Sequence, residues 1–128
     1  MIFTVPPRFS GQTLPPIRQV KEENTSVSYS CVAEAKPAAK IQWVLNGKNL
    51  TNSPPYNISG SFQTIQGSKL FETLSYLDIA KLTWRQYGNF SCVAYNEAGQ
   101  VRQNTELEVR RKYSVQVTCL LELIHSFV

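Results

Sequence analysis

The sequence predicts an all-β fold made of two packed antiparallel sheets, and three observations support this. Cys31 and Cys92 lie on distant stretches in which apolar and polar residues alternate, and Trp43 lies between them. Short strands of this kind recur along the chain with turn residues between them, while helical periodicity is nowhere sustained. Because two such sheets bury their inward faces against each other, the alternating apolar residues should form one core.

Alternation predicts the core strands in chain order, with the inward sets Val27, Tyr29, Cys31 and Ala33; Ile41, Trp43 and Leu45; Leu77 and Ile79; and Phe90, Cys92 and Ala94. The second set stops at Asn46-Gly47, a strong turn signal. Val101, Leu107 and Val109 fit a last strand, and the long gap after Val101 predicts a bulge or a register change. An edge strand is expected between Arg8 and Val20, where Pro15-Pro16 should interrupt it and discourage pairing with another chain.

Two segments carry a resemblance to a known family. Residues 35–50 read Ala-Lys-Pro-Ala-Ala-Lys-Ile-Gln-Trp-Val-Leu-Asn-Gly-Lys-Asn-Leu, and residues 92–99 read Cys-Val-Ala-Tyr-Asn-Glu-Ala-Gly. This resembles an immunoglobulin-like domain of the intermediate (I-set) type, a Greek-key β-sandwich in which these runs occur together. Residues 7–110 carry the resemblance. Residues 1–6 are therefore expected to be an N-terminal flank, and residues 111–128 a C-terminal extension outside the domain.

The resemblance implies that Cys31 and Cys92 face each other across the sheets as a disulfide, with Trp43 against the bridge and Phe90 in the core. The alternative is a pair of buried free thiols, and the redox compartment decides between the two. The family usually has Asp-x-Gly-x-Tyr-x-Cys where residues 86–92 read Gln-Tyr-Gly-Asn-Phe-Ser-Cys. Phe90 lacks the hydroxyl of the tyrosine corner and Gln86 lacks the carboxylate, so we expect some loss of stability and an unchanged fold.

Length and composition suit one domain, since 128 residues with 42% hydrophobic content can bury a sandwich core. The formal net charge is +4, but the thirteen Lys and Arg are spread along the chain apart from residues 110–112. This favours a solvated surface over a nucleic-acid site. Neither a signal peptide nor a membrane-spanning run is visible, so we expect a segment of a longer protein whose membrane anchor lies outside this piece.

Four N-glycosylation sequons begin at Asn24, Asn49, Asn57 and Asn89, where about one would be expected by chance among eight asparagines. This excess favours a secreted or cell-surface protein. In a sandwich of this type, the turns that hold Asn24, Asn49 and Asn89 are expected at the pole where the chain exits. Phe90 should point inward, so Asn89 should point outward and be able to carry a sugar.

Glycans at that end would leave the opposite end free, and we call its loops, residues 35–40, 66–69 and 97–99, the bare pole. Loops on a rigid scaffold often carry binding, so the bare pole is a candidate recognition surface. A preceding domain could equally pack there. The candidate contact residues are charged: Lys36, Lys40, Lys69 and Glu97.

Residues 113–128 do not fit the sandwich, because the last strand should end near Val109. A truncated second domain is one interpretation, and an alternative ending or a non-native extension is the other. Cys119 is an odd cysteine, which suggests a free thiol or intermolecular pairing. The apolar cluster at residues 120–128 is too short to cross a membrane, so it predicts aggregation or dimerisation through the tail.

Catalysis finds no support, because His125 is the single histidine and lies in the tail. Three scattered cysteines lack metal-ligand spacing, and neither a phosphate-binding loop nor a cofactor motif occurs. The resemblance implies a non-catalytic module that binds a protein partner outside the cell, either its own kind or another protein, in an adhesion molecule or receptor ectodomain. The alternative is an intracellular spacer or docking domain of muscle or cytoskeletal proteins.

Overall fold

The computed structural model describes residues 3–10 and 15–111, and most of this part is β-strand. The nine strands are β1 Val5–Phe9, β2 Arg18–Glu22, β3 Val27–Lys36, β4 Lys40–Leu45, β5 Lys48–Asn49, β6 Tyr56–Thr64, β7 Phe71–Ile79, β8 Gly88–Asn96 and β9 Gly99–Arg110. A 3-10 helix at Trp84–Gln86 precedes β8. The strands form a four-stranded sheet, in the order β1-β3-β7-β6, and a five-stranded sheet, in the order β2-β9-β8-β4-β5. The predicted all-β sandwich is confirmed.

One strand pair corrects the expectation of purely antiparallel sheets. β2 pairs in parallel with β9, from Arg18 opposite Glu106 to Glu22 opposite Arg110. The physical reason lies in the interrupted first strand. β1 pairs with β3 in one sheet, and after Pro15-Pro16 the chain continues as β2 in the other sheet, where it runs beside the last strand.

The predicted bulge in the last strand is wrong. β8 and β9 pair without a register shift from Asn96 opposite Gly99 to Gly88 opposite Leu107. The gap between Val101 and Leu107 arises because polar residues take inward positions. Thr105 lies on the inward face and is only 2% exposed, so a β-branched polar residue fills the place where an apolar residue was expected.

The core lies between the sheets and contains the predicted inward residues. Its main cluster is formed by buried Val27, Tyr29, Cys31, Trp43, Leu45, Leu77, Ile79, Leu82, Phe90, Cys92 and Leu107. Cys31 and Cys92 form a disulfide with their Cα atoms 6.6 Å apart. Trp43 lies opposite Cys92 across the β4–β8 pair, and its Nε1 donates a hydrogen bond to Ser75 Oγ at 2.9 Å.

The turn that departs from the family pattern forms its own hydrogen bonds. Gln86 is buried, and its Oε1 accepts hydrogen bonds from Thr83 N at 2.8 Å and Thr83 Oγ1 at 3.0 Å. Its Nε2 donates to the Tyr56 hydroxyl at 3.3 Å. The Phe90 ring lies 5.7 Å from the Tyr29 ring. Gln86 thus caps the 3-10 helix locally in place of a carboxylate.

Candidate recognition surface

Asn96 joins two of the three loops of the bare pole, residues 35–40 and 97–99, to each other and to β1. It is the last residue of β8, and its Nδ2 donates hydrogen bonds to Val5 O at 2.9 Å and Pro37 O at 3.1 Å. Its Oδ1 accepts a hydrogen bond from Ala98 N at 2.9 Å. One side chain therefore ties the start of β1, the β3–β4 loop and the β8–β9 turn to each other. This gives the loops the rigidity that recognition requires.

A shallow cleft of about 280 Å³ lies beside this anchor. It is lined by Pro37, Ala38, Lys40, Tyr95, Asn96 and Glu97. Tyr95 is 40% exposed and lies opposite Lys40 across the β4–β8 pair, so an exposed aromatic residue, a cation and a carboxylate line the same cleft. Such a mixture of aromatic, cationic and anionic groups suits a polar segment of another protein.

The four predicted contact residues lie at this end of the sandwich, but only two share the cleft. Lys40 begins β4 and Glu97 follows β8, and both line it. Lys36 ends β3, with its Nζ 5.7 Å from the centre of the Phe3 ring. Lys69 lies in the β6–β7 turn, away from the cleft.

The salt bridges of the described residues involve other side chains. Arg8 pairs with Glu34 at 3.0 Å, and Glu108 pairs with Arg18 at 3.6 Å and Arg110 at 3.2 Å. Lys40 and Glu97 are exposed, and neither pairs with another charged residue that the structure describes. Their charges are thus available to a partner.

The sequon asparagines lie outside the loops of the bare pole. Asn24 lies in the turn before β3, and the backbone amide of the preceding residue, Glu23, donates a hydrogen bond to Arg110 O. Asn89 is the second residue of β8. Asn57 lies near the start of β6, at the same end. Asn49 lies on β5 opposite Val44, just after the Asn46-Gly47 turn and near the end of the sandwich that holds Asn89.

Sequence reasoning missed the roles of two residues at the bare pole. The exposure of Tyr95 could have been predicted, because Ala94 points inward and the next side chain on a strand points to the opposite face. The three side-chain hydrogen bonds of Asn96 join segments up to 91 residues apart in sequence, which no local pattern reveals.

Other predictions fall partly or wholly outside the described residues. Cys119 and the tail from residue 113 onward lie outside them, as do residues 1 and 2 of the flank. Within residues 3–10 and 15–111, no cluster of His, Cys, Asp and Glu could hold a metal ion. No helix in the same part is long and apolar enough to cross a membrane.

Comparison with known proteins places the chain in a family. Residues 6–96 match the family model of the immunoglobulin domain. Cell adhesion molecule Dscam1 of Drosophila melanogaster is 32% identical over 108 residues, which cover 80% of this chain and 5% of Dscam1. Titin of the same species is 29% identical over 106 residues, which cover 83% of this chain and a negligible share of titin. The chain thus spans a small part of each relative.

The solved structures agree with this fold. The N-terminal eight Ig domains of Down Syndrome Cell Adhesion Molecule superpose with a TM-score of 0.69 at 26% identity, covering 83% of this chain and 13% of that one. The residues that the family model matches include Cys31, Trp43 and Cys92. The chain belongs to the immunoglobulin domain family.

Proposed function

We propose that this domain is an extracellular protein-recognition module of a cell-surface adhesion molecule or receptor ectodomain, and that N-linked sugars decorate it. The observation that carries the proposal is that the eight asparagines fall into two groups, which differ in whether the side chain makes a hydrogen bond. Each of the four outside the sequons, Asn46, Asn52, Asn96 and Asn104, uses its side chain in a hydrogen bond. The four sequon asparagines are all exposed.

No side chain of these four makes a hydrogen bond within the described part of the chain. An oligosaccharide is attached to the side-chain nitrogen, so an exposed and unbonded amide is what the modification requires. Asn24, Asn49, Asn57 and Asn89 meet this requirement on four separate elements or turns. The Cys31–Cys92 disulfide adds support, because disulfides persist mainly in oxidising compartments.

The partner is proposed to bind at the bare pole, around the cleft between Lys40 and Glu97. This pole is free of sequons, and Asn96 fastens the two of its loops that line the cleft. The parent protein is then anchored outside this segment, and its partner is a protein with charges that complement the pair.

A second candidate function is an intracellular spacer or docking module. The similarity to titin favours it, because that relative covers 83% of this chain at 29% identity. The two functions differ in compartment and therefore in thiol state and sugar content.

The deciding experiment is the intact mass of the protein from its native source, alkylated without reduction, before and after enzymatic removal of N-linked sugar. The extracellular function predicts a loss of sugar mass, with Cys31 and Cys92 closed. Three alkylated thiols and no sugar would overturn it in favour of the intracellular module.

The recognition surface is tested by exchanging charges without changing the net charge. Fluorescent tetramers of the chain that carry Lys40→Glu with Glu97→Lys should bind intact cells more weakly than the original tetramers. A matched control exchanges Lys81→Glu with Glu106→Lys, two exposed residues away from the cleft, and should bind normally. Equal binding by all three would exclude the cleft.

A further inference from the structure

The two sheets have four edge strands, and only one of them lacks protection against pairing with another chain. β1 contains Pro6 and Pro7, and β5 is two residues long. β2 has charged residues at three of its five positions. β6 has nine residues and contains neither proline nor a charged side chain. Since charges, prolines and short length are what discourage edge pairing, β6 is the unprotected edge.

Hydrogen bonds show which backbone groups of β6 point away from the sheet. Ile58 N donates to Asn52 Oδ1 at 2.9 Å and Tyr56 N donates to Ser53 O at 2.9 Å, so the first half of this edge is covered by the preceding turn. Ile65 N, just after β6, donates to Leu70 O at 3.1 Å, so this amide points toward the start of β7 and not away from the sheet. Amide directions alternate along a strand.

The amides of Gly60, Phe62 and Thr64 therefore point outward like that of Ile58. β6 is the last strand of its sheet, so no described strand lies beyond them. Phe62 is 67% exposed, with its ring centroid 6.4 Å from that of Phe71. The second half of β6 thus combines an unpaired backbone edge with an exposed aromatic side chain.

Charge favours a second copy of this chain as the occupant. Residues 49–68 contain no Lys, Arg, Asp or Glu, although the whole chain carries a net charge of +4. Two copies can therefore approach along this segment without placing like charges opposite each other. A two-fold axis through Phe62 would also place each residue whose amide points outward opposite a residue of the second copy whose amide points outward.

We propose that residues 60–64 of two copies pair antiparallel about a two-fold axis at Phe62, which joins the two β6 strands into one continuous sheet. Phe62 of each copy then lies opposite Phe62 of the other, and Gly60 lies opposite Thr64. Asn57 lies outside the paired residues, so a sugar there is compatible with pairing. The pairing does not depend on the compartment, and it stands or falls separately from the proposed recognition at the bare pole.

The first test is the self-association of the full chain, measured by sedimentation up to millimolar concentration. Phe62→Lys should weaken dimerisation at least about tenfold, because it places two cations directly opposite each other. Trp84→Lys is the matched control, since it replaces an aromatic residue that is 71% exposed and lies outside β6, and it should dimerise normally. Mixing the Phe62→Lys and Phe62→Glu variants should restore a dimer.

A second test uses amide hydrogen exchange of the original chain. The amides of Gly60 and Thr64 should become protected as the concentration rises, while that of Ser61, which faces β7, should be protected at all concentrations. A chain that stays monomeric at millimolar concentration would overturn the proposal. Self-association that survives Phe62→Lys would also overturn it and would assign the contact to another surface, such as residues 113–128.

Discussion

The side-chain amide of Asn46 occupies the space that Gly88 leaves open by having no side chain. Asn46 Nδ2 donates to Tyr87 O at 3.1 Å, and Asn46 Oδ1 accepts from Asn89 N at 2.9 Å. Asn46 N also donates to Asn89 O at 2.9 Å. A Cβ atom on Gly88 would collide with this amide. These contacts fasten the β4–β5 turn to the start of β8.

Gly88→Ala should therefore lower the free energy of unfolding by about 3 kcal/mol, because the backbone conformation and the collision both oppose it. The φ of Gly88 is +142°, which residues with side chains rarely adopt. Gly67→Ala is the matched control, since Gly67 has a φ of +78° but open space around it. It should cost about 1 kcal/mol in urea unfolding. Equal losses would mean that Asn46 moves aside at no cost.

Much of the fold was predictable because the core strands are locally encoded. Tyr29 and Phe90 each lie between two polar neighbours in the sequence, and both are buried between the sheets. Asn46-Gly47 correctly marked a turn, with φ values of 50° and 83°. Period-two burial and turn chemistry both depend on residues close in sequence, so a single sequence reveals them.

The remaining features depend on residues far apart in sequence. The parallel β2–β9 pair needs the first strand to change sheets, and alternation says nothing about which sheet a strand joins. Thr105 is buried although its type predicts exposure, so the inferred bulge was wrong. The cleft beside Lys40 also depends on Asn96, whose partners come from β1 and the β3–β4 loop. The charges in the sequence indicated the candidate contact residues, but they did not show that only Lys40 and Glu97 line the same cleft.

Stability should fall in alkaline solution because of Tyr29. Burial raises the pKa of its hydroxyl to about 12, from 10.0. The folded state therefore favours the neutral form, and this contribution is complete below pH 10 and is lost as the pH rises toward 12. The loss should be about 2 kcal/mol. Urea unfolding at several pH values measures it, and Tyr29→Phe should remove this part of the pH dependence.

Tyr29→Phe should also leave the protein at least as stable at neutral pH. The Tyr29 hydroxyl is buried and has no hydrogen-bond partner within the described residues. Removing an unsatisfied buried polar group relieves its desolvation penalty, so we expect a gain of up to about 1 kcal/mol in the free energy of unfolding. A clear loss in thermal or urea unfolding would mean that the hydroxyl has a partner, such as a buried water.

Breaking the Cys31–Cys92 bridge should cost about 4 kcal/mol, because the bridge closes a loop of 61 residues and restricts the unfolded chain. The measurement compares urea unfolding of the oxidised protein with that of a Cys31→Ala, Cys92→Ala variant. Both proteins should carry Cys119→Ser, so that the third thiol cannot exchange with the bridge. A difference below about 1 kcal/mol would mean that the bridge contributes little to stability and that the rest of the core holds the sheets together.

Asn96→Ala should destabilise the bare pole, because it removes two hydrogen bonds to carbonyl groups and one from a backbone amide. We expect a loss of about 2 kcal/mol in the free energy of unfolding, measured on unglycosylated protein. Asn57→Ala is the matched control, since no side-chain hydrogen bond of Asn57 occurs among the described residues, and it should change stability by less than about 0.5 kcal/mol. If water replaces the lost bonds, the two variants will be equally stable. In that case the loops around Lys40 and Glu97 are held by their own packing, and Asn96→Ala tetramers should bind cells normally. If Asn96→Ala is less stable than Asn57→Ala, its tetramers should also bind cells more weakly.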